Sequence, residues 1–319
     1  MTGTRVTPAP SGQQFEISHG NQVATLVEVG GGIRRYSVGD RDVLDPYAVD
    51  EMCDGAHGAP LVPWPNRLAD GTYGFDGLDH QVAITEPEKH NAIHGLLRWR
   101  SWHCLAHEPA RITLATTLFP LPGYPFTLEV RITYQLDDGG LTVTTTTTNV
   151  GSHVAPYGCG QHPYLSPGAG LVDDCILQLG ADTRILTDPD RKLPTGRETV
   201  EQSAYDFRRG RQIAAQEIDD AFTDLERDSH GRAWVHLTGT DGHTAHLWVD
   251  GAYPFIELYT GDTLRPDRRR LGLGAEPMTC PPNALQTGEQ IIRLEPGESA
   301  TATWGACLTP PGPVARTHA

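Results

Sequence analysis

Cysteine and basic residues are scarce in this chain, and long apolar runs and long helical patterns are missing. Only six cysteines occur in 319 residues, at positions 53, 104, 159, 175, 280 and 307, with no CxxC or other zinc-type spacing. That excludes a disulfide-stapled mini-scaffold, and a chain of this length buries enough surface to stand without one. No stretch of about 18 apolar residues is present, and the N-terminal MTGTRVTPAPSGQQ lacks the apolar core of a secretory signal. The expectation is a cytoplasmic protein with reduced thiols and no membrane partner. Lys and Arg number 25 against 40 Asp and Glu, a formal net charge of −15 that repels nucleic acid and anionic lipid alike. The one dense basic run, Arg265 to Arg270 with Asp267 inside it, reads as a solvated loop. Histidines recur at metal-like spacings in His90/His94, His103/His107 and His243/His246, yet no cysteine or clear carboxylate completes a set, so no metal is expected.

What is present points to β structure. Gly 35 and Pro 25 leave little room for helices. From Phe126 to Leu136, apolar and polar residues alternate with a period of two, the signature of a half-buried antiparallel strand. Asp137-Asp138-Gly139-Gly140 tolerates the positive φ of a tight turn, and the Thr-rich LTVTTTTTN after it has high β propensity, so a hairpin is predicted. The same grammar pairs Gln22–Val29 with Ile33–Val38, Tyr73–Phe75 with the segment reaching Val82, and Ala233–Leu237 with His246–Val249. Short helical turns are expected near residues 46–51 and 203–208. No repeat, linker or Gly-rich phosphate loop divides the chain. These patterns predict one domain over 1–319, a large antiparallel β-sandwich with an ordered core over about 15–308 and flexible ends at the first dozen residues and the PPGPVARTHA tail.

Five polar clusters sit in turns rich in proline and aromatic residues. In GAPLVPWPNRLADG, prolines stiffen the backbone around Asn66-Arg67, where the arginine either binds ligand hydroxyls or pairs with a nearby acid. NAIHGLLRWRSW carries His94 and YGCGQHPYLSPG carries His162, each open to a structural or a chemical role. IDDAFTDL carries Asp219 and Asp220, a cap or a binding pair. In LGLGAEPMTCPPNAL, Glu276 lies between an apolar stretch and a rigid CPPN turn, a setting that desolvates a carboxylate and raises its basicity.

These five blocks, in this order over roughly residues 15–308, resemble the aldose 1-epimerase or galactose mutarotase family. The phrases WPNRLADG and NAIHGLLRWRSW resemble most the bacterial branch associated with a sulfoquinovose-type sugar operon. The resemblance implies a β-sandwich with the sugar site in an open groove on one sheet, a monosaccharide as the partner and no cofactor. It implies Glu276 as the general base on the anomeric hydroxyl and His162 as the general acid on the ring oxygen, with Arg67, His94 and Asp219 binding sugar hydroxyls and Asn66 in support. A carboxylate beside an imidazole would favour the imidazolium, leaving an acid and a base side by side.

Two positions depart from the family pattern. Glu257, in PFIELYTGD, stands where the family commonly carries a glutamine that touches the sugar, so the resemblance makes it a further substrate-binding candidate whose carboxylate, if it faces the groove, shifts selectivity; Asp220 replaces a commoner histidine, which leaves a one-place ambiguity with Asp219. Three rivals accompany this reading: a glycoside hydrolase using paired carboxylates, a non-catalytic sugar-binding or regulatory module on the same fold, and a hexose-6-phosphate epimerase. The last would need cations for the phosphate, as a sulfonated sugar would, and Arg67, Arg98 and Arg100 are the candidates. The oligomeric state is left between monomer and homodimer.

Overall fold

The structure is a computed structural model that describes residues 8–166, 168 and 170–311. The flexibility expected of residues 1–7 and 312–319 falls outside the described residues. Residues 9–12 form a turn closed by the Gly12 N–H on Ala9 O at 2.9 Å, and the Val29 N–H ties down Ser11 O at 2.9 Å.

Strict alternation in the sequence becomes sheet. Leu128–Asp137 buries every second side chain, pairs with Gly140–Asn149 from Leu128↔Asn149 to Asp137↔Gly140, and so closes the predicted hairpin. Gly140 has φ +109°, and a Cβ there would stand 2.4 Å from Ala306 O, so the turn residue must be glycine. Among the described residues, twelve strands form one sheet and nine another, and every strand pairing is antiparallel. The nine-stranded sheet centres on the Thr-rich strand and Ser299–Thr309, whose outward threonines bond across strands, as Thr146 does with Thr301 at 3.1 Å. The twelve-stranded sheet holds Tyr164–Leu165, Leu273–Met278, Phe255–Tyr259 and Asp219–Leu225 side by side near its middle.

The core between the sheets joins Tyr134, Val143 and Trp304 from one to Tyr36, Leu258 and Ala275 from the other. Gln161 is among the polar side chains that enter it. Gln161 donates to Tyr134 Oη at 3.2 Å and accepts from Trp304 Nε1 at 2.9 Å, so its amide is satisfied inside the core and the next residue, His162, is free to leave the sheet on the opposite side.

Two local expectations are corrected. Residues 46–51 and 203–208 are hydrogen-bonded turns, and the described helical segments are Pro87–Lys89, Val172–Asp174 and Ala284–Thr287, the last stopped by Gly288 at φ +77°. The basic run is a solvated loop only in part: Arg265, Asp267 and Arg269 are exposed, whereas Arg268 reaches Asp45 at 2.6 Å, and Arg270 reaches Asp173 at 2.7 Å and Asp262 at 2.6 Å.

Candidate active site

Residues 66–67 and 93–94, distant in sequence, meet in a short ribbon. Arg67–Ala69 pairs with Asn91–Ile93, placing Arg67 opposite Ile93 and bringing His94 beside Asn66. Asn66 and His94 both take positive φ, 55° and 62°. The Asn66 N–H donates to His94 Nδ1 at 3.2 Å, the His94 N–H donates to Asn66 O at 3.0 Å, and Asn66 Oδ1 accepts from the Arg67 N–H at 2.7 Å. Asn66 is thus the bracket that aims its two neighbours. Burial, followed by His162, Arg98 and Arg67, holds the His94 imidazole well below the usual histidine range. A neutral ring whose Nδ1 accepts a hydrogen bond carries its proton on Nε2.

Arg67 bears out the ion-pair reading of its motif and also reaches the cleft. Its Nε lies 3.0 Å from Glu86 Oε2 and its Nη2 3.7 Å from Asp219, while the same side chain lines a cleft. Burial opposes its charge, but Asp219 and Glu86 outweigh that and raise its affinity for the proton. In Glu86 burial is likewise overcome by Arg67, leaving the carboxylate below its usual range.

The cleft, about 280 Å³, is small for a ligand site, where about 300–1,000 Å³ is usual, and suits a single sugar ring better than a chain of them. His162 and Glu276 form its floor. His162 Nε2 stands 3.0 Å from Glu276 Oε1, with both side chains buried. Gly274, on the strand of Glu276, keeps the approach of Tyr259 open: a Cβ there would stand 3.1 Å from Tyr259 Cβ and in ordinary contact, 3.6 Å, with His162 Cε1. His162 is held on two more sides, edge-on by His94 at 5.2 Å and face-on by Tyr164 at 4.9 Å.

The two acids of IDDAF separate by strand alternation. Asp219 lines the cleft, whereas Asp220 leaves the opposite face and meets Arg184 at 3.3 Å. Burial, more than any charge, lifts the Asp220 carboxyl above its usual range. Glu257 is 3% exposed and lies beneath the cleft rather than on its wall, directly across from Glu276 on the neighbouring strand. Among the three arginines considered for an anionic group, Arg98 lines the cleft with no carboxylate within 4.0 Å among the described residues, Arg67 is tied to Glu86, and Arg100 is exposed away from the wall.

Several participants were not picked out from the sequence. Glu86, Lys89 and Lys192 line the cleft from segments without a recognisable motif, and Tyr259 lines it from PFIELYTGD, where the sequence singles out Glu257 alone. Lys192, at φ +58°, is delivered by a hairpin tip whose Arg191 bonds Asp70 at 2.9 Å and the carbonyls of Lys89 and His90. Behind Tyr164 lies His57, stacked on it at 3.8 Å, with its Nε2 2.9 Å from Asp45 and its Nδ1 2.7 Å from Asp54 O. Of the metal-like histidine pairs, His90 instead meets Asp70 at 2.9 Å, and His107 meets Glu16 O at 2.8 Å. Ligand atoms of His94, His162 and Glu276 lie within 4.8 Å of one another, and Arg67 and Arg98 act on the same place and oppose a cation.

The family model described as "Aldose 1-epimerase" matches residues 13–305. The uncharacterized protein YihR of Escherichia coli K12 is 33% identical over 289 residues, covering 90% of this chain and 91% of that protein. Human galactose mutarotase is 25% identical over 221 residues, covering 65% of this chain and 63% of that one. In fold, the chain is similar to a GalM/aldose epimerase homologue from C. elegans, at a TM-score of 0.84 and 19% identity, covering 94% and 99% of the two chains. It is similar also to galactose 1-epimerase from Lactobacillus acidophilus NCFM, at 0.78 and 18%, covering 94% and 95%.

Proposed function

Because this chain belongs to the aldose 1-epimerase family, we propose that it interconverts the α and β anomers of a hexose by acid–base opening and reclosure of the ring. The observation that carries the reading is the 3.0 Å contact of His162 Nε2 with Glu276 Oε1 on the floor of a ring-sized cleft. A hemiacetal carbon bears two oxygens side by side, the anomeric hydroxyl and the ring oxygen. An acid and a base that are themselves neighbours can therefore each reach one of them.

Glu276 takes the anomeric hydroxyl proton while His162 protonates the ring oxygen, and the bond between C1 and that oxygen breaks to give the open aldehyde. Rotation about the bond next to the carbonyl presents its other face. Reclosure reverses both transfers, so the two side chains end as they began, and neither a metal nor an organic cofactor is required. Each such group is typically worth about 10² to 10⁴ in rate. Arg67, Asp219 and the Nε2–H of His94 hold hydroxyls of the ring, and Asn66 acts through the bracket described above. The proposed setting is the cytoplasm, with the catalytic groups of one chain sufficient for the reaction.

A second reading concerns the sugar. Arg98 is a half-buried guanidinium on the cleft wall with its Nε unpartnered, and Lys89 and Lys192 stand on the same cleft. This favours a hexose with an anionic group, a phosphate or the sulfonate expected of a sulfoquinovose-type branch.

Anomer exchange followed by NMR in a weakly catalytic buffer tests both readings, with glucose, galactose and an anionic hexose as substrates. Acceleration by the wild type that collapses in Glu276→Gln is expected, and a preference for the anionic sugar that Arg98→Gln abolishes would support the second reading. Exchange no faster than buffer with every sugar would overturn catalysis and leave the binding-module reading.

A further inference from the structure

The proton transfers above leave the carboxyl group of Glu257 without a role, and its surroundings are not those of an ordinary anion. Glu257 lies opposite Glu276 in the antiparallel register, so the two side chains leave the same face with Cβ atoms about 4.5–5.5 Å apart. Its partner on the other side is Ala221, which brings no side-chain hydrogen-bonding group. Oε2 of Glu257 and Oε2 of Glu276 are both buried and both without a hydrogen-bond partner. The charged groups around Glu257 are Asp219 and Asp220 from one neighbouring strand, Glu276 from the other and Arg67 from the ribbon. Arg67 already bonds Glu86 and approaches Asp219. Burial first, then Asp219 and Glu276, therefore push the Glu257 carboxyl well above the usual carboxylate range.

We infer that Glu257 is a positioning residue that carries the single proton of a facing carboxyl pair and donates it as a hydrogen bond to Oε2 of Glu276, leaving Oε1 beside His162 as the basic atom. A neutral carboxyl group offers one donor where an ionised one offers none. The pair resembles in logic any two adjacent carboxyl groups that cannot both ionise, and it titrates as a unit. When the second proton leaves at higher pH, two anions face each other and the brace on Glu276 is lost, so turnover falls on the alkaline side. A glutamine at position 257 would supply an N–H donor that does not titrate.

The kinetic consequence rests on the epimerase reading; the protonation state does not. The experiment measures kcat and KM of anomer exchange against pH for wild type, Glu257→Gln and Glu257→Leu, together with infrared spectra of the first two at neutral pH. The expected result is a carboxylic acid C=O band present in wild type and missing from the glutamine variant. Glu257→Leu is expected to lose about tenfold or more in kcat with KM little changed, in line with the loss of a hydrogen bond to a charged group. Glu257→Gln is expected to recover most of that rate and to lose the alkaline decline. The same alkaline decline in wild type and Glu257→Gln, or no difference in the C=O band, would overturn the inference. If the leucine variant does not fold, the glutamine comparison carries the test. If wild type exchanges no sugar, the epimerase reading fails, and the band alone decides whether Glu257 holds the proton.

Discussion

The imidazole of His57 lies 3.8 Å from the ring of Tyr164 and within 6° of parallel to it, and Tyr164 stacks in turn on His162 at 4.9 Å. The column ends in charge, because His57 meets Asp45, which also accepts from Arg268 at 2.6 Å. The proposed acid is thus held through two aromatic contacts by an ion pair from the basic run. Tyr164→Leu removes both contacts, each worth about 0.5–1.5 kcal/mol beyond area burial. The expected outcome is a lower melting temperature and a kcat reduced about tenfold at nearly constant KM, read by calorimetry and anomer-exchange kinetics.

Glu276→Gln and His162→Asn should each lower kcat by about 10² to 10⁴. Because the two groups act in one concerted pair of proton transfers, the double variant should lose far less than the product of the single losses. Additive losses in the exchange rate would show that the two act independently.

The neighbours Asp219 and Asp220 should respond in opposite ways. Asp219→Asn, on the cleft wall, is expected to raise KM with little change in stability. Asp220→Asn, which leaves Arg184 with Glu198 at 2.7 Å as its remaining partner, is expected to change the melting temperature and leave KM near wild type. Kinetics and calorimetry on the two variants distinguish the roles.

Glu257 predicts a pH dependence of stability. Its carboxyl is raised above the ordinary 4.5, so above that pH the unfolded chain gives up the proton while the folded chain keeps it. The folded state then binds more protons than the unfolded state, and its stability falls as pH rises towards the folded value. Glutamine does not titrate, so the melting temperature of Glu257→Gln should gain on that of wild type as pH goes from about 4.5 to 8. A pH-independent difference would show that Glu257 ionises equally in both states.

Gly95 has φ +69°, and a Cβ on it would stand 2.1 Å from Val62 O. Gly95→Ala should cost at least about 1–3 kcal/mol and shift the adjacent His94, giving a raised KM alongside the lower melting temperature.

Much of the scaffold was legible in one dimension because strand periodicity is a local property. The alternation at Leu128–Asp137 and the Asp-Gly turns report which face is buried and where the chain reverses, and both hairpins formed as predicted. The NR, IHG, HPYL, IDDAF and EPMTCPPNAL blocks marked a set of side chains that the fold gathers into one cleft. Glu86, Lys89 and Lys192 were not legible, since nothing in their own segments distinguishes a solvated charge from one that lines a cleft. Within the basic run, Arg268 and Arg270 were not legible for the same reason: the composition is that of a surface loop, while their partners Asp45 and Asp173 lie far away in sequence.

The sequence by itself determined the all-β architecture, the turns and the family, because alternation, positive-φ residues and multi-residue motifs are written along the chain. Only the tertiary structure decided that Asp219 faces the cleft and Asp220 does not, that Arg67 is shared between Glu86 and the cleft, and that Glu257 stands across from Glu276 on the neighbouring strand. Those relations depend on strand register, and a shift of one residue would turn each of these side chains to the other face of the sheet.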